Sequence, residues 1–143
     1  MIDNKDKINN HPQAGFTLVE LLVVLVIIGL IAALATPQVL RYLGQAKVNA
    51  ASAQIRNFES ILELCFIDNG AFPTTQQSLS ALVEKPTNAT RWNGPYLKIK
   101  GEINDPWGNK YSYKLNSENQ PEIISFGQDG KVGGENLAAD ITN

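Results

Sequence analysis

Residues 15–37 read GFTLVELLVVLVIIGLIAALATP. From Leu21 to Ala35 no side chain is charged or polar, and between Phe16 and Thr36 the only ionisable group is Glu20. About 20 apolar residues in a helix cross the ~30 Å of hydrocarbon in a bilayer. The stretch therefore predicts a membrane-spanning helix. The competing reading is a cleaved secretory signal peptide, which needs a basic start, a short apolar core and small residues behind that core. Ala32 to Ala35 would supply the small residues. The length of the run, the acid at its head and the helix-like sequence behind it favour an anchor that is kept.

Working outward, Pro37 interrupts the pattern without ending it. Proline removes a helical hydrogen bond and kinks the chain, and membrane helices tolerate it. Val39, Leu40 and Leu43 come next at helical spacing, as do Ile55, Phe58, Leu62, Cys65 and Phe66. The Ala-rich stretch GQAKVNAASAQ between them suits a helix. Asn69-Gly70 is a C-terminal cap and Pro73 blocks continuation. One nearly continuous helix from Phe16 to about Asn69 is expected. Cys65 reads as a buried small hydrophobe on its packed face.

The chain has 143 residues, 12 basic and 14 acidic, for a net charge of -2. Beyond the anchor roughly a hundred residues remain, enough for one small domain. No basic stripe or recognisable module points to nucleic acid. Cys65 is the only cysteine, so no intrachain disulfide forms. The only histidine, His11, precedes the anchor, and no Ser-His-acid, Cys-His or metal-hydrolase pattern marks an enzyme.

After the long helix, Thr74 or Thr75 would open a short helix with Leu79, Leu82 and Val83 inward and Pro86 at its end. Trp92, Pro95, Tyr96 and Leu97 are expected to pack on the long helix. Ile99 and Ile103 flank a Lys100-Gly101-Glu102 turn. Asp105-Pro-Trp-Gly-Asn109 is a dense turn, with Pro and Gly as punctuation and Asp and Asn able to bond local backbone. Lys110–Lys114 and Glu122–Phe126 are strand candidates, with residues 116–120 as the hairpin loop. Two short strands are marginal alone and must cover the helix. The tail, SFGQDGKVGGENLAADITN from Ser125, crowds Asp129, Glu135, Asn136 and Asp140 into a glycine-rich loop. The spacing is not that of an EF-hand.

Several of these stretches resemble one superfamily. GFTLVE, from Gly15 to Glu20, resembles the type IV prepilin signature. That resemblance implies cleavage by a prepilin peptidase between Gly15 and Phe16, N-methylation of Phe16, and retention of the anchor. Family leaders usually carry Lys or Arg directly before the Gly; here Gln13 and Ala14 stand there, with Lys5, Lys7 and His11 further back. An ionised side chain in lipid is costly unless paired. By resemblance, Glu20 would meet the Phe16 ammonium of a neighbouring subunit in a filament. The small residues Gly29, Ala32 and Ala33 would allow close helix contacts.

The runs FPTTQQSLSAL from Phe72 and DPWGNKY from Asp105 resemble those of the major pseudopilins of type II secretion. In the first, that family often has Tyr where Phe72 stands and Gly where Ser78 stands. The C-terminal loop is similar to that family's calcium loop, which implies calcium as a ligand. Asp129 and Asp140 are the best side-chain candidates, with Ser125, Glu135 and Asn136 behind them. Leu137 and Ala138 stand where the family often has further acids.

The resemblance implies an α+β, type IV pilin-like fold: a long N-terminal helix, transmembrane in its first half, against a small antiparallel sheet with a C-terminal loop. Residues 1–15 would be a leader, 16–37 the transmembrane and assembly helix, and 38–143 a periplasmic domain. Within that domain lie a helix at 38–69, a variable region at 70–105, and the sheet with the calcium-like loop at 106–143. The implied role is structural and not enzymatic. The subunit would polymerise into a pseudopilus that drives folded proteins across the outer membrane. Implied partners are copies of itself, minor pseudopilins, an inner-membrane assembly platform and the prepilin peptidase. A type IV pilus major or minor pilin is the alternative.

Overall fold

A computed structural model of the chain describes residues 15–98 and 103–143. The leader expected at 1–15 lies, apart from Gly15, outside the described residues, as do Ile99 and the Lys100-Gly101-Glu102 turn. The chain divides into two compact units, Met1–Val39 and Leu40–Asn143. One helix, α1, runs Leu18–Asn69 and contains Pro37. The proline leaves the backbone ladder one donor short. Just before it, the Thr36 hydroxyl donates to the Ala32 carbonyl at 2.6 Å, a bond Ser and Thr commonly make in helix interiors.

In the first unit the helix is apolar on every side, and every large apolar residue from Leu18 to Leu34 is exposed. A helix apolar all round belongs in a membrane or a large core, and the described residues of this unit offer no core.

In the second unit the pattern becomes one-sided. Ala51, Ile55, Phe58, Leu62 and Cys65 are buried and recur every three or four residues, the spacing of one helical face. Phe66 lies one position round from that stripe. It is 43% exposed and packs on Phe72 with the rings tilted and their centroids 4.7 Å apart; the expectation that it joins the packed face is corrected. The helix ends at Asn69, with the Gly70 N–H donating to the Phe66 carbonyl at 2.7 Å.

The segment expected to form a short helix starts with a reciprocal cap. The Thr74 N–H donates to Gln77 Oε1 and the Gln77 N–H to Thr74 Oγ1, the geometry of a capping box. Behind the cap the chain makes a turn and then a 3₁₀ helix at Leu79–Leu82, not an α-helical run. Ser78 breaks it, with φ +53° and ψ −168°. Leu79 and Leu82 are nonetheless fully buried, and Leu97 joins them. Trp92 caps this layer through its indole N–H, which donates to the Ala81 carbonyl at 2.9 Å. The indole also meets Tyr96 edge to face.

Three antiparallel strands complete the domain: β1 at Ser112–Leu115, β2 at Pro121–Ser125 and β3 at Ile141–Thr142, in the order β1-β2-β3. The hairpin pairs Ser112 with Ile124 and Leu115 with Pro121, so the loop falls at 116–120 as the sequence predicts. The first strand starts two residues later than expected, because Lys110 pairs instead with Asn104 in an isolated bridge. The second ends at Ser125. β3, which the sequence does not announce, is two residues long and pairs with Ile124 and Ser125.

Tyr111 and Tyr113 point to the same side, as period-two alternation requires, and both are buried against the helix stripe. Phe58 and Tyr111 meet edge to face at 5.1 Å. The hydroxyls of both tyrosines are satisfied inside: Tyr111 donates to Gln54 Oε1 at 2.6 Å and Tyr113 to the Pro73 carbonyl at 2.7 Å. Burial pushes both phenols up, Tyr113 to about 12.

Ser78 holds a positive φ that L-residues adopt at a cost of order 1–3 kcal/mol. Glycine adopts it freely. Ser78→Gly is therefore expected to raise the thermal stability of the full chain in detergent, by about 1 kcal/mol. An unchanged or lower melting temperature would mean the strain at this turn is not real.

Candidate functional site

Two places carry the chemistry the sequence singles out: the head of α1 and the C-terminal loop. At the head, Thr17 is the residue before the helix and Glu20 sits in its first turn. The two side chains close on each other. Glu20 Oε2 accepts from the Thr17 N–H and from the Thr17 hydroxyl, both at 2.8 Å, while the Glu20 N–H donates to Thr17 Oγ1 at 3.2 Å. This is a capping box, in which two unsatisfied helix-end amides find partners reciprocally. The carboxylate also lies at the positive end of the helix dipole, where negative charge is stabilised. Sequence reasoning singled out Glu20 and missed Thr17, although Thr-x-x-Glu ahead of an apolar run is a readable capping-box signature.

Gly15 and Phe16 precede the helix outside any regular element, and Phe16 is exposed. An unpacked segment ahead of a helix is open to cleavage.

The C-terminal loop runs from the end of β2 to the start of β3. It contains a three-residue 3₁₀ turn at Asn136–Ala138. Its curvature depends on close approach at two glycines. A Cβ at Gly127 (φ +62°) would lie 2.8 Å from the Ala139 carbonyl oxygen, and one at Gly134 (φ +97°) would run into the Ala138 carbonyl. The Gln128 N–H closes the loop on the Leu137 carbonyl at 2.9 Å.

Each candidate ligand now has a place. Asp129 accepts the Lys131 N–H through Oδ1 at 3.1 Å, and Asp140 accepts the Gly133 N–H through Oδ2 at 2.9 Å. Both remain exposed. Glu135 and Asn136 are also exposed, and Asn136 adopts a φ of +56°. Ser125 is different: it is fully buried, donates to Asp105 Oδ2 at 2.7 Å and receives the Gly127 N–H at 3.3 Å. Among the described residues, no three His, Cys, Asp or Glu side chains converge on one point. A cation here would be held by at most two carboxylates, with backbone carbonyls and water completing the shell. That all-oxygen donor set fits calcium and is foreign to zinc.

Leu137, standing where related loops often carry acids, packs on α1 beside Gly44. A Cβ on Gly44 would come 2.5 Å from Leu137 Cδ1. The loop thus meets the helix through an apolar knob.

Cys65 is no reactive centre. It is buried, receives an Asn69 amide hydrogen bond at 3.4 Å, and burial pushes its thiol up. Thiolate, the nucleophilic form, is thereby disfavoured.

A long helix with an apolar first half, packed in its second half by a small antiparallel sheet, defines a membrane-anchored, pilin-like subunit. Residues 38–143 match the family model for type II secretion system protein G, and residues 10–36 match the prokaryotic N-terminal methylation motif. The chain is 46% identical over 136 residues to the type II secretion system core protein G of Pseudomonas aeruginosa, covering 92% of this chain and 94% of that one. The Vibrio cholerae core protein G is 40% identical over 135 residues, covering 92% and 91% respectively. The crystal structure of the major pseudopilin from the type 2 secretion system of enterohaemorrhagic Escherichia coli superposes with a TM-score of 0.57 at 32% identity, covering 69% of this chain and 87% of that one. The chain belongs to the type II secretion system protein G family, the major pseudopilins.

It is accordingly a structural, non-catalytic subunit of the secretion pseudopilus. The long apolar helix anchors it in the inner membrane, with the C-terminal domain in the periplasm. The family match decides against the alternative of a type IV pilus pilin.

Thr17→Val removes two of the three hydrogen bonds in the capping box. Losing an N-cap costs about 1 kcal/mol. Amide exchange in the first turn, at Leu18 to Leu21, should quicken in detergent-solubilised protein. Unchanged protection there would contradict the cap.

Proposed function

We propose that this chain is cut between Gly15 and Phe16 by a prepilin peptidase and methylated on Phe16. It then joins a helical homopolymer through Glu20. The observation that carries this reading is one carboxylate, Glu20, at the head of an otherwise uncharged span.

Cleavage ahead of the anchor creates an ammonium on Phe16. Within the membrane boundary, both this ammonium and the Glu20 carboxylate carry a desolvation cost. The Thr17 cap offsets part of it for Glu20. A subunit entering the filament base would bring its carboxylate to a neighbour's ammonium, and pairing in a low dielectric rewards one register over others. Apolar contacts along the span are indifferent to small axial slips, so the ion pair sets the axial step. Each added subunit would lift the filament through the periplasm. Minor pseudopilins, an inner-membrane assembly platform and cytoplasmic ATPase power would act around it, and the growing filament would push folded proteins through an outer-membrane channel.

Glu20→Ala should leave membrane insertion intact and reduce pseudopilus yield at least tenfold, a loss of about 1.4 kcal/mol per added subunit being enough. Intact mass of wild-type subunits should give a chain starting at N-methyl-Phe16. Wild-type filament yield from the mutant, or a mature chain lacking everything through Thr36, would defeat the proposal.

The second part of the reading concerns calcium. Asp129 and Asp140 would hold it, aided by loop carbonyls, with Glu135 and Asn136 as weaker donors and the Ser125 side chain engaged elsewhere. What supports this is the all-oxygen donor set on a loop that curls tightly enough for Gly127 and Gly134 to lie against the Ala138 and Ala139 backbone. The ion would supply charge neutralisation and fasten the C-terminus to β2. Binding to the folded state alone stabilises by about 2.7 kcal/mol at a hundred times Kd. A thermal melt of the full chain in detergent should therefore rise with calcium relative to chelator. Asp129→Ala or Asp140→Ala should abolish the rise. Identical melts for the wild type in both conditions, with no ion bound on titration, would end the calcium reading.

A further inference from the structure

The most unusual polar feature of the second unit lies beneath the C-terminal loop, not in it. Asp105 is a buried carboxylate, only 5% exposed. Amides and a hydroxyl satisfy it. Oδ1 accepts the Trp107 N–H at 3.0 Å and the Asn109 N–H at 2.8 Å, and Oδ2 accepts the Ser125 hydroxyl at 2.7 Å. Buried carboxylates are costly unless fully hydrogen-bonded, so each of these donors is needed.

The bonds do not stop at the turn. Ser125 Oγ, held by Asp105, accepts the Gly127 N–H at 3.3 Å, and Asn109 Nδ2 donates to the Gly127 carbonyl at 3.2 Å. The Gly127 carbonyl is therefore held directly by the Asp105–Asn109 turn, and its N–H indirectly, through the Ser125 that Asp105 orients. The Asn109 amide also lies under Gly130, where a Cβ would come within 3.1 Å of Oδ1. Asp129 stands between these two glycines. Gly127 in turn packs on the backbone of Ala138 and Ala139, next to Asp140. The turn thus grips the loop at the residues flanking one candidate ligand and against the backbone leading to the other.

We propose that the Asp105–Asn109 turn is the positioning element of the loop's cation site, with Asp105 and Asn109 setting calcium affinity without touching the ion. The inference rests on the calcium reading above. Asp105 orients Ser125, and Ser125 and Asn109 clamp Gly127. Gly127 fixes where the chain to Asp129 begins and where the Ala138–Asp140 segment lies. A loop that is already shaped loses less conformational freedom when the ion arrives. The role also explains why the turn needs both an acid and an amide at this spacing. The acid has acceptors for three donors, and the amide supplies one further donor for a carbonyl.

The test is a calcium titration of the full chain in detergent, comparing wild type, Asn109→Ala and Asp105→Asn. Melts in calcium and in chelator accompany it. Asn109→Ala deletes the donor to the Gly127 carbonyl. Asp105→Asn keeps an oxygen for the two turn amides but places an NH₂ opposite Ser125, which must then give up its orientation. Both variants should bind calcium ten- to a hundredfold more weakly, the loss typical when outer-shell partners of a metal are removed. The calcium-induced rise in melting temperature should shrink accordingly. A purely structural role would lower the melting temperature equally in calcium and chelator and leave affinity unchanged. Should Asp105→Asn fail to fold, Asn109→Ala decides alone, since its side chain is only half-buried and its loss leaves the carboxylate network complete. Wild-type affinity in folded Asn109→Ala overturns the positioning role and leaves the calcium site standing. A wild-type chain that takes no calcium overturns the ion reading, and this inference with it. The wild-type titration tells the two failures apart.

Discussion

The structure depends on one helix serving two solvents. From Leu18 to Leu34 the apolar side chains of α1 face outward on every side, while from Ala51 to Cys65 they are confined to a single buried stripe. Moving apolar area out of water is worth about 25 cal/mol per Å², so the first half is stable only in lipid or against other apolar helices. The second half needs a partner along one face. A sheet as small as β1-β2-β3 could not stand alone, and it has a core only because Ile55, Phe58 and Leu62 supply one side of it. Each depends on the other: the helix gives the sheet its core, and the sheet covers the stripe.

Among the described residues the polar side chains that remain buried are all committed. Tyr111 and Tyr113 reach Gln54 and Pro73, tying the residue just ahead of β1 to α1 and β1 itself to the segment behind α1. Asp105 and Ser125 tie the turn before β1 to the end of β2. No buried side-chain nitrogen or oxygen lacks a partner among the described residues. The consequence is a domain whose C-terminal loop is held from below by hydrogen bonds, and at Leu137 by packing beside Gly44. This suits a subunit whose job is to keep its shape while being stacked and moved.

Much of the fold is legible in the chain. Length and composition alone identify the anchor, and the stripe at Ile55, Phe58, Leu62 and Cys65 is read from spacing. The hairpin loop at 116–120 follows from the strand candidates on either side of it. The features that escape do so for physical reasons. β3 has two residues, Ile141 and Thr142, too few to show alternation. Ser78 gives no sign of its positive φ, because serine ordinarily avoids it; only the glycine of related runs points there. Phe66 is as apolar as its neighbours, and only the exact stripe of the helix leaves it outside. Ser125 fits a ligand list by position, but its hydroxyl is claimed by Asp105, a partner twenty residues away that no local pattern reveals. The Thr17–Glu20 cap, by contrast, is written in plain local spacing.

The central claim is that a retained, processed helix assembles by matching one subunit's Glu20 to another's N-terminus. The most direct measurement is a cryo-electron microscopy map of the assembled pseudopilus, resolved well enough to place the side chains of the first helical turn. The account predicts a chain that begins at Phe16, with Glu20 within about 4 Å of the Phe16 nitrogen of an adjacent subunit, the range of an ion pair. A filament in which Glu20 faces lipid or solvent, with every Phe16 nitrogen far from any carboxylate, would contradict it.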